Sequence, residues 1–128
     1  SPLSPYAGVI AKFIDAIKRD TQIEVHGDGN QSRDFIHVSD VVRCLDIAMT
    51  KANIDAYVLN VCTGHGTTLN HLIKVLASLF NKRPNIQHGP ARVGDIKDSL
   101  GCPLLASKIL GYSSYVDIKD GLKEMVNA

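Results

Sequence analysis

A chain of 128 residues fits one domain and can bury a modest core, but it is short for a complete enzyme built on a dinucleotide fold. Hydrophobic residues make up 45% and charged residues 21%, and the formal net charge is +1 with Lys and Arg spread along the chain, which argues against nucleic acid as a partner. No apolar run approaches the roughly 18 residues of a membrane span, and the opening Ser1-Pro2-Leu3-Ser4-Pro5 is not a signal peptide, so a cytoplasmic setting is expected.

Residues 8–19 predict an amphipathic helix. Val9, Ile10, Phe13, Ile14 and Ile17 share one stripe, and Lys12, Asp15, Lys18 and Arg19 fall outside it. Ile23 to His26 is a short β-rich run, stopped by the turn signal Gly27-Asp28-Gly29-Asn30. Phe35 to Val38 predicts a second strand. Ser39 is expected to cap the next helix, with Asp40 in its first turn and Val41, Val42, Leu45, Ala48 and Met49 on an apolar face. Residues 57–61 (YVLNV) read as a buried strand, closed by Thr63-Gly64-His65-Gly66. Thr68 then caps a third helix with Leu69, Leu72, Ile73, Leu76 and Leu79 inward. Residues 85–88 are extended. Pro103 suits the first turn of a helix ending near Leu110-Gly111, and a last helix runs from about Ile118 to Val126. The fold class is α/β, helices with short strands.

The common catalytic signatures are absent. No GxGxxG opens a βα unit, so there is no fingerprint for a dinucleotide pyrophosphate, and Gly27-Asp28-Gly29 reads only as a turn. The five histidines form no HExxH or Cys/His metal pattern, so no metal is expected. The three cysteines, Cys44, Cys62 and Cys102, show no CxxC spacing and read as reduced thiols. Two loop arginines remain. Arg33 follows the Gly-rich turn, and Arg92 lies between Gly89-Pro90-Ala91 and Gly94-Asp95. Each reads either as a solvated loop side chain or as a fork of donors for phosphate oxygens.

The order of motifs carries a resemblance. The stretch 4–14, S-P-Y-A-G-V-I-A-K-F-I, is similar to the segment that enters the helix beside the nucleotide base in extended short-chain dehydrogenase/reductases acting on nucleotide sugars, such as UDP-glucose 4-epimerases. Residues 23–40, I-E-V-H-G-D-G-N-Q-S-R-D-F-I-H-V-S-D, resemble that family's I-x-x-x-G-D-G-x-Q-x-R-D-[FY]-[IV]-x-V-x-D. Residues 60–64 resemble its N-x-G-T-G, residues 92–95 its R-x-G-D, and Leu110-Gly111-Tyr112 its L-G-[WY]. Two departures stand out: Cys62 replaces a glycine, and Cys102 precedes Pro103 where a capping Asp is usual.

The resemblance implies the C-terminal portion of a Rossmann-type extended enzyme, without its N-terminal dinucleotide-binding half. Residues 1–128 would form the nucleotide-sugar-binding domain, with 39–61 derived from the edge of the cofactor domain. Arg33 and Arg92 would grip the pyrophosphate of a UDP-sugar, and Asp95 would accept from the ribose hydroxyls. Val9 and Phe13, with the backbone near Val25 and His26, would wall the uracil; Phe13 reads equally well as ordinary helix core. NAD would serve the intact parent enzyme and would not be bound by this portion. The catalytic Tyr-x-x-x-Lys pair belongs to the N-terminal half, so no residue here is assigned that role. The expected partners are the UDP-sugar, the absent N-terminal half, and a second copy through the uncovered 39–61 region. A missing Met at position 1 points to a cut or processed piece. Other readings are a stand-alone nucleotide-sugar-binding module or pseudoenzyme, and a portion of a dTDP-sugar dehydratase or reductase.

Overall fold

A computed structural model describes residues 8–51 and 56–128; residues 4–7 of the first motif lie outside the described residues. The described residues of Ser1–Gln31, Thr68–Lys97 and Leu122–Ala128 form one compact unit, and those of Ser32–Thr67 and Asp98–Gly121 form another.

The first unit is built from helix α1 (Val9–Lys18), strand β1 (Ile23–His26), helix α3 (Leu69–Phe80) and strand β4 (Ile86–Gly89). The apolar stripe expected at 8–19 forms α1 and buries Phe13, Ala16 and Ile17. It packs on α3, which buries Leu69, Leu72, Ile73 and Leu76. Thr68 caps α3, its hydroxyl accepting from the His71 N–H at 3.1 Å. β1 and β4 run parallel, with Ile23 opposite Ile86 and His26 opposite Gly89. Alternation along β1 sends Ile23 and Val25 into the core and leaves Glu24 outside.

The second unit contains strand β2 (Ser32–Arg33), helix α2 (Val38–Thr50), strand β5 (Asp98–Ser99) and helix α4 (Leu104–Leu110). Strand β3 (Thr67–Thr68) and helix α5 (Ile118–Val126) lie where the units meet in sequence. The core here is Cys44, Ala106, Leu110 and Tyr112, with Ile36, Ile47, Leu59 and Val61 packed against it. α4 ends on Gly111 at φ 66°, a left-handed position that favours glycine.

Three local expectations need correction. The strand expected at 35–38 is instead the two-residue β2, parallel to β5. Its ladder closes where the Asp34 N–H donates to the Ser99 carbonyl at 3.1 Å, and α2 begins at Val38. Ser39 is not the cap of α2. His37 is, its Nδ1 accepting from the Ser39 N–H at 3.1 Å, while Asp40 does lie in the first turn. Residues 57–61 form no hydrogen-bonded strand. Leu59 and Val61 face the core cluster, but Val58 is 93% exposed. Among the described residues no neighbouring strand offers this run a ladder, and a β-rich sequence alone cannot supply one.

Candidate functional site

In the first unit, the polar groups gather at the C-terminal ends of two parallel strands. This is where open α/β sheets present loops to ligands. His26 ends β1 and Gly89 ends β4, and the Gly27 N–H continues the pairing to the Gly89 carbonyl at 2.9 Å. An Arg92 Nη2 donates to His26 Nε2 at 3.1 Å, so the His26 ring carries its proton on Nδ1. His88 Nδ1 donates to the Gly27 carbonyl at 2.9 Å. The Asp95 N–H bonds back to the Arg92 carbonyl at 3.1 Å, closing a tight turn with Gly94 at φ 79°. Arg92 and Asp95 are exposed.

The Gly27–Asn30 turn is knotted from α3 by Asn70, a residue with no motif to announce it. The Asn70 amide donates to the Asp28 carbonyl at 3.0 Å and to the Asn30 side chain at 3.1 Å, and the Asn70 N–H reaches the Gly29 carbonyl at 3.0 Å. The Asn30 N–H, bonded to the Asp28 carboxylate at 2.9 Å, holds that carboxyl below its usual range. Of the groups expected to wall a base, Phe13 and Val25 are core side chains, only 4% and 1% exposed. Val9 and His26 are half-buried, so they and the backbone of β1 are what this part of the surface offers.

In the second unit, Arg33 is half-buried on β2 and donates from Nη1 to the Ser32 carbonyl at 2.7 Å. The Ser32 hydroxyl meets the Asp98 carboxylate at 2.7 Å. Beside it, Asp34 accepts from the Thr63 N–H at 3.0 Å, the Thr63 hydroxyl, the Gly64 N–H at 2.9 Å and the Gly101 N–H at 3.4 Å. Burial pushes the Asp34 carboxyl up, but these hydrogen bonds, the Thr63 hydroxyl foremost, outweigh it and hold the group below its usual range. A cavity of about 310 Å³ in this unit is lined by Phe35, Thr63, His65, Thr67, Tyr115 and Asp117.

Neither glycine pair fits a dinucleotide cradle. The Gly27–Gly29 turn leads into β2 and not into a helix. At Gly66, a Cβ would meet the Leu100 side chain at 2.7 Å and the Ser32 hydroxyl at 3.2 Å, so protein fills the space a phosphate would need. A Tyr-x-x-x-Lys spacing does occur once, at Tyr115 and Lys119. Only Lys119 is on α5. Tyr115 precedes the helix, its ring 4.2 Å from the Arg43 guanidinium and its N–H on the Asp40 carboxylate at 3.1 Å. The two side chains therefore do not share one helical face. No group of three or more metal-ligating side chains occurs among the described residues, and no helix there is long and apolar enough to cross a membrane.

The model of the NAD dependent epimerase/dehydratase family matches residues 2–62. A UDP-glucose 4-epimerase of Mycolicibacterium smegmatis is 29% identical over 120 residues, covering 94% of this chain and 38% of that protein. The crystal structure of UDP-glucose 4-epimerase with UDP-glucose from Thermotoga maritima has a TM-score of 0.87 at 36% identity, over 99% of this chain and 40% of that one. MoeE5, solved in complex with UDP-glucuronic acid and NAD, gives 0.89 at 32% identity, over 98% of this chain and 42% of that one. The chain thus spans about two fifths of the length of the relatives it matches, and over that portion it has the α/β fold of Rossmann-type epimerases.

Proposed function

This chain belongs to the NAD dependent epimerase/dehydratase family and is UDP-glucose 4-epimerase-like, and from that premise we propose that it is the nucleotide-sugar-binding portion of such an enzyme. The observation that carries the proposal is Arg92. It stands beyond the C-terminal ends of two parallel strands, its guanidinium steered by His26, with donors left to face solvent. A planar fork held in this way suits a phosphate oxygen pair.

In this reading Arg33 and Arg92 are the residues assigned to the pyrophosphate of a UDP-sugar. Asp95, brought back by its turn to Arg92, accepts from the ribose hydroxyls. Val9, His26 and the backbone beside Val25 line the base, while Phe13 supports them from the core. Residues 39–61 belong with the cofactor-binding part of the whole fold, a reading supported by their falling within the second unit and by the apolar groups α2 leaves exposed. NAD and the proton-transferring residues are supplied by a portion of the fold not represented in these 128 residues, in a cytoplasmic enzyme. The chemistry NAD supplies when bound is transient oxidation of the sugar. The residues described here bind and orient the nucleotide half of the substrate.

Calorimetric titration with UDP tests the assignment. A hydrogen bond to a charged phosphate is worth roughly 1.5–3 kcal/mol, so Arg92→Ala and Arg33→Ala should each weaken binding about tenfold or more. Equal affinity in wild type and both variants removes the pyrophosphate role from these arginines.

A further inference from the structure

Cys62 and Cys102 are the two cysteines at which the sequence departs from the family pattern, and the fold brings their segments together. Cys62 is buried, with its side chain against the backbone of Gly101: a Cβ built on Gly101 would overlap the Cys62 Sγ and stand 2.7 Å from its Cβ. Two residues on, Gly64 meets Pro103, whose Cδ lies 3.1 Å from a Cβ built at Gly64. Contacts therefore flank Cys102 on both sides, at Gly101 and at Pro103. The Asp34 carboxylate ties the same two segments through the Gly64 N–H at 2.9 Å and the Gly101 N–H at 3.4 Å. Residues 62–64 and 101–103 belong to no helix or strand, so a small backbone adjustment disrupts no ladder. One residue step is about 3.8 Å, and a disulfide needs Cα atoms about 4.4–6.8 Å apart, which is within the reach of such neighbours.

We propose that Cys62 and Cys102 are a redox-responsive thiol pair that closes to a disulfide when a peroxide oxidises Cys102. The two cysteines have complementary access. Cys102 is exposed and open to a small oxidant, whereas Cys62 is buried and reachable only from within its own chain. Burial, and then the nearby Asp34 charge, push the Cys62 thiol up, which leaves Cys102 as the first to react. The Cys102 thiolate attacks a peroxide oxygen, the O–O bond breaks, and hydroxide leaves to be protonated, giving a sulfenic acid. The Cys62 sulfur, losing its proton, then attacks the Cys102 sulfur; the S–O bond breaks and water leaves. Two electrons pass from the thiols to the peroxide, and a dithiol reductant reverses the step. The bridge cross-links the loop after 57–61 to the entry of α4. Cys44, buried in the Tyr112 cluster, takes no part.

A brief substoichiometric peroxide pulse on the full chain, followed by alkylation in denaturant and peptide mass spectrometry, tests this. The expected product is a single peptide pair joining Cys62 to Cys102 within one chain, lighter by two hydrogens and restored by dithiothreitol, with Cys44 alkylated. In Cys62→Ser the bridge is lost and Cys102 is instead trapped as a sulfenic acid by a dimedone-type reagent. Wild-type chains joined to one another through Cys102, or Cys102 carried to sulfinic acid while Cys62 is still alkylated, would overturn the proposal.

Discussion

Asp34 shows how much one carboxylate can organise. Neighbouring Arg33 in sequence, it gathers N–H groups from Thr63, Gly64 and Gly101, residues that a local pattern could not connect with it. Asp34 lies within the family-like signature at 23–40, but its role is tertiary and is not visible in that local pattern. Asp34→Ala strands those donors and should cost roughly 2 kcal/mol or more of stability. The pH dependence has a definite sign. A carboxyl held below its unfolded value contributes stability above about pH 4, and that contribution is lost as pH falls through the lowered folded value. Thermal melts of wild type and Asp34→Asn should therefore differ most near neutrality and converge below about pH 4. A constant gap across that range would contradict the charged-cap role. Asp40 has the same sign: burial raises its carboxyl, and the Val116 and Tyr115 N–H groups with Arg43 more than offset that. Part of the acid sensitivity will therefore persist in the Asn variant. At the proposed ligand surface, Asp95→Ala should narrow the preference for UDP over its 2′-deoxy analogue, measured by paired titrations. An unchanged ratio would remove Asp95 from the ribose.

Helix α2 is apolar on two faces. Cys44, Ile47 and Ala48 turn to the Tyr112 cluster and α4, while Val38, Val42, Leu45 and Met49, spaced four, three and four apart, form a second stripe that is exposed, Met49 to 84%. An apolar helix face is ordinarily covered. The run 57–61 has the same character: its β-rich composition was plain in the sequence, but a strand needs a neighbour, and none is present among the described residues. Fully covering each large aliphatic side chain is worth about 1.5–3 kcal/mol, enough for a few of them to drive association. The isolated chain is therefore expected to self-associate through the exposed face of α2 and residues 57–58. Light scattering across a concentration series should show mass above the monomer, falling to the monomer in Val42→Lys/Met49→Lys. A wild-type chain that stays monomeric throughout would count against it. Other elements were legible because their signals are local. The stripes of α1 and α3, the Thr68 cap and the bounds of α5 follow from apolar spacing and cap chemistry. The start of α2 was not, because a histidine ring serves as the cap where Ser39 is the residue type preferred at that position.

Across the whole molecule, the fold is that of part of a nucleotide-sugar epimerase. The ordered motifs made this fold readable from sequence, since each marks a turn or strand end at a fixed place in the chain. The detailed setting of the proposed site was less readable. The His26 partner of Arg92 comes from a neighbouring strand end, and Phe13 and Val25 are consumed by the core. Neither glycine turn cradles a dinucleotide, and the one Tyr-x-x-x-Lys spacing is split across the start of α5. The proposed function predicts binding without turnover, and both can be read in one sample. Saturation-transfer NMR of the chain with UDP-galactose and NAD should show transfer to the uracil and ribose protons while the galactose anomeric signal stays constant with time. Appearance of UDP-glucose above a heat-treated control, or no transfer to the nucleotide at concentrations where the chain is folded, would contradict a nucleotide-sugar-binding portion that lacks the catalytic machinery.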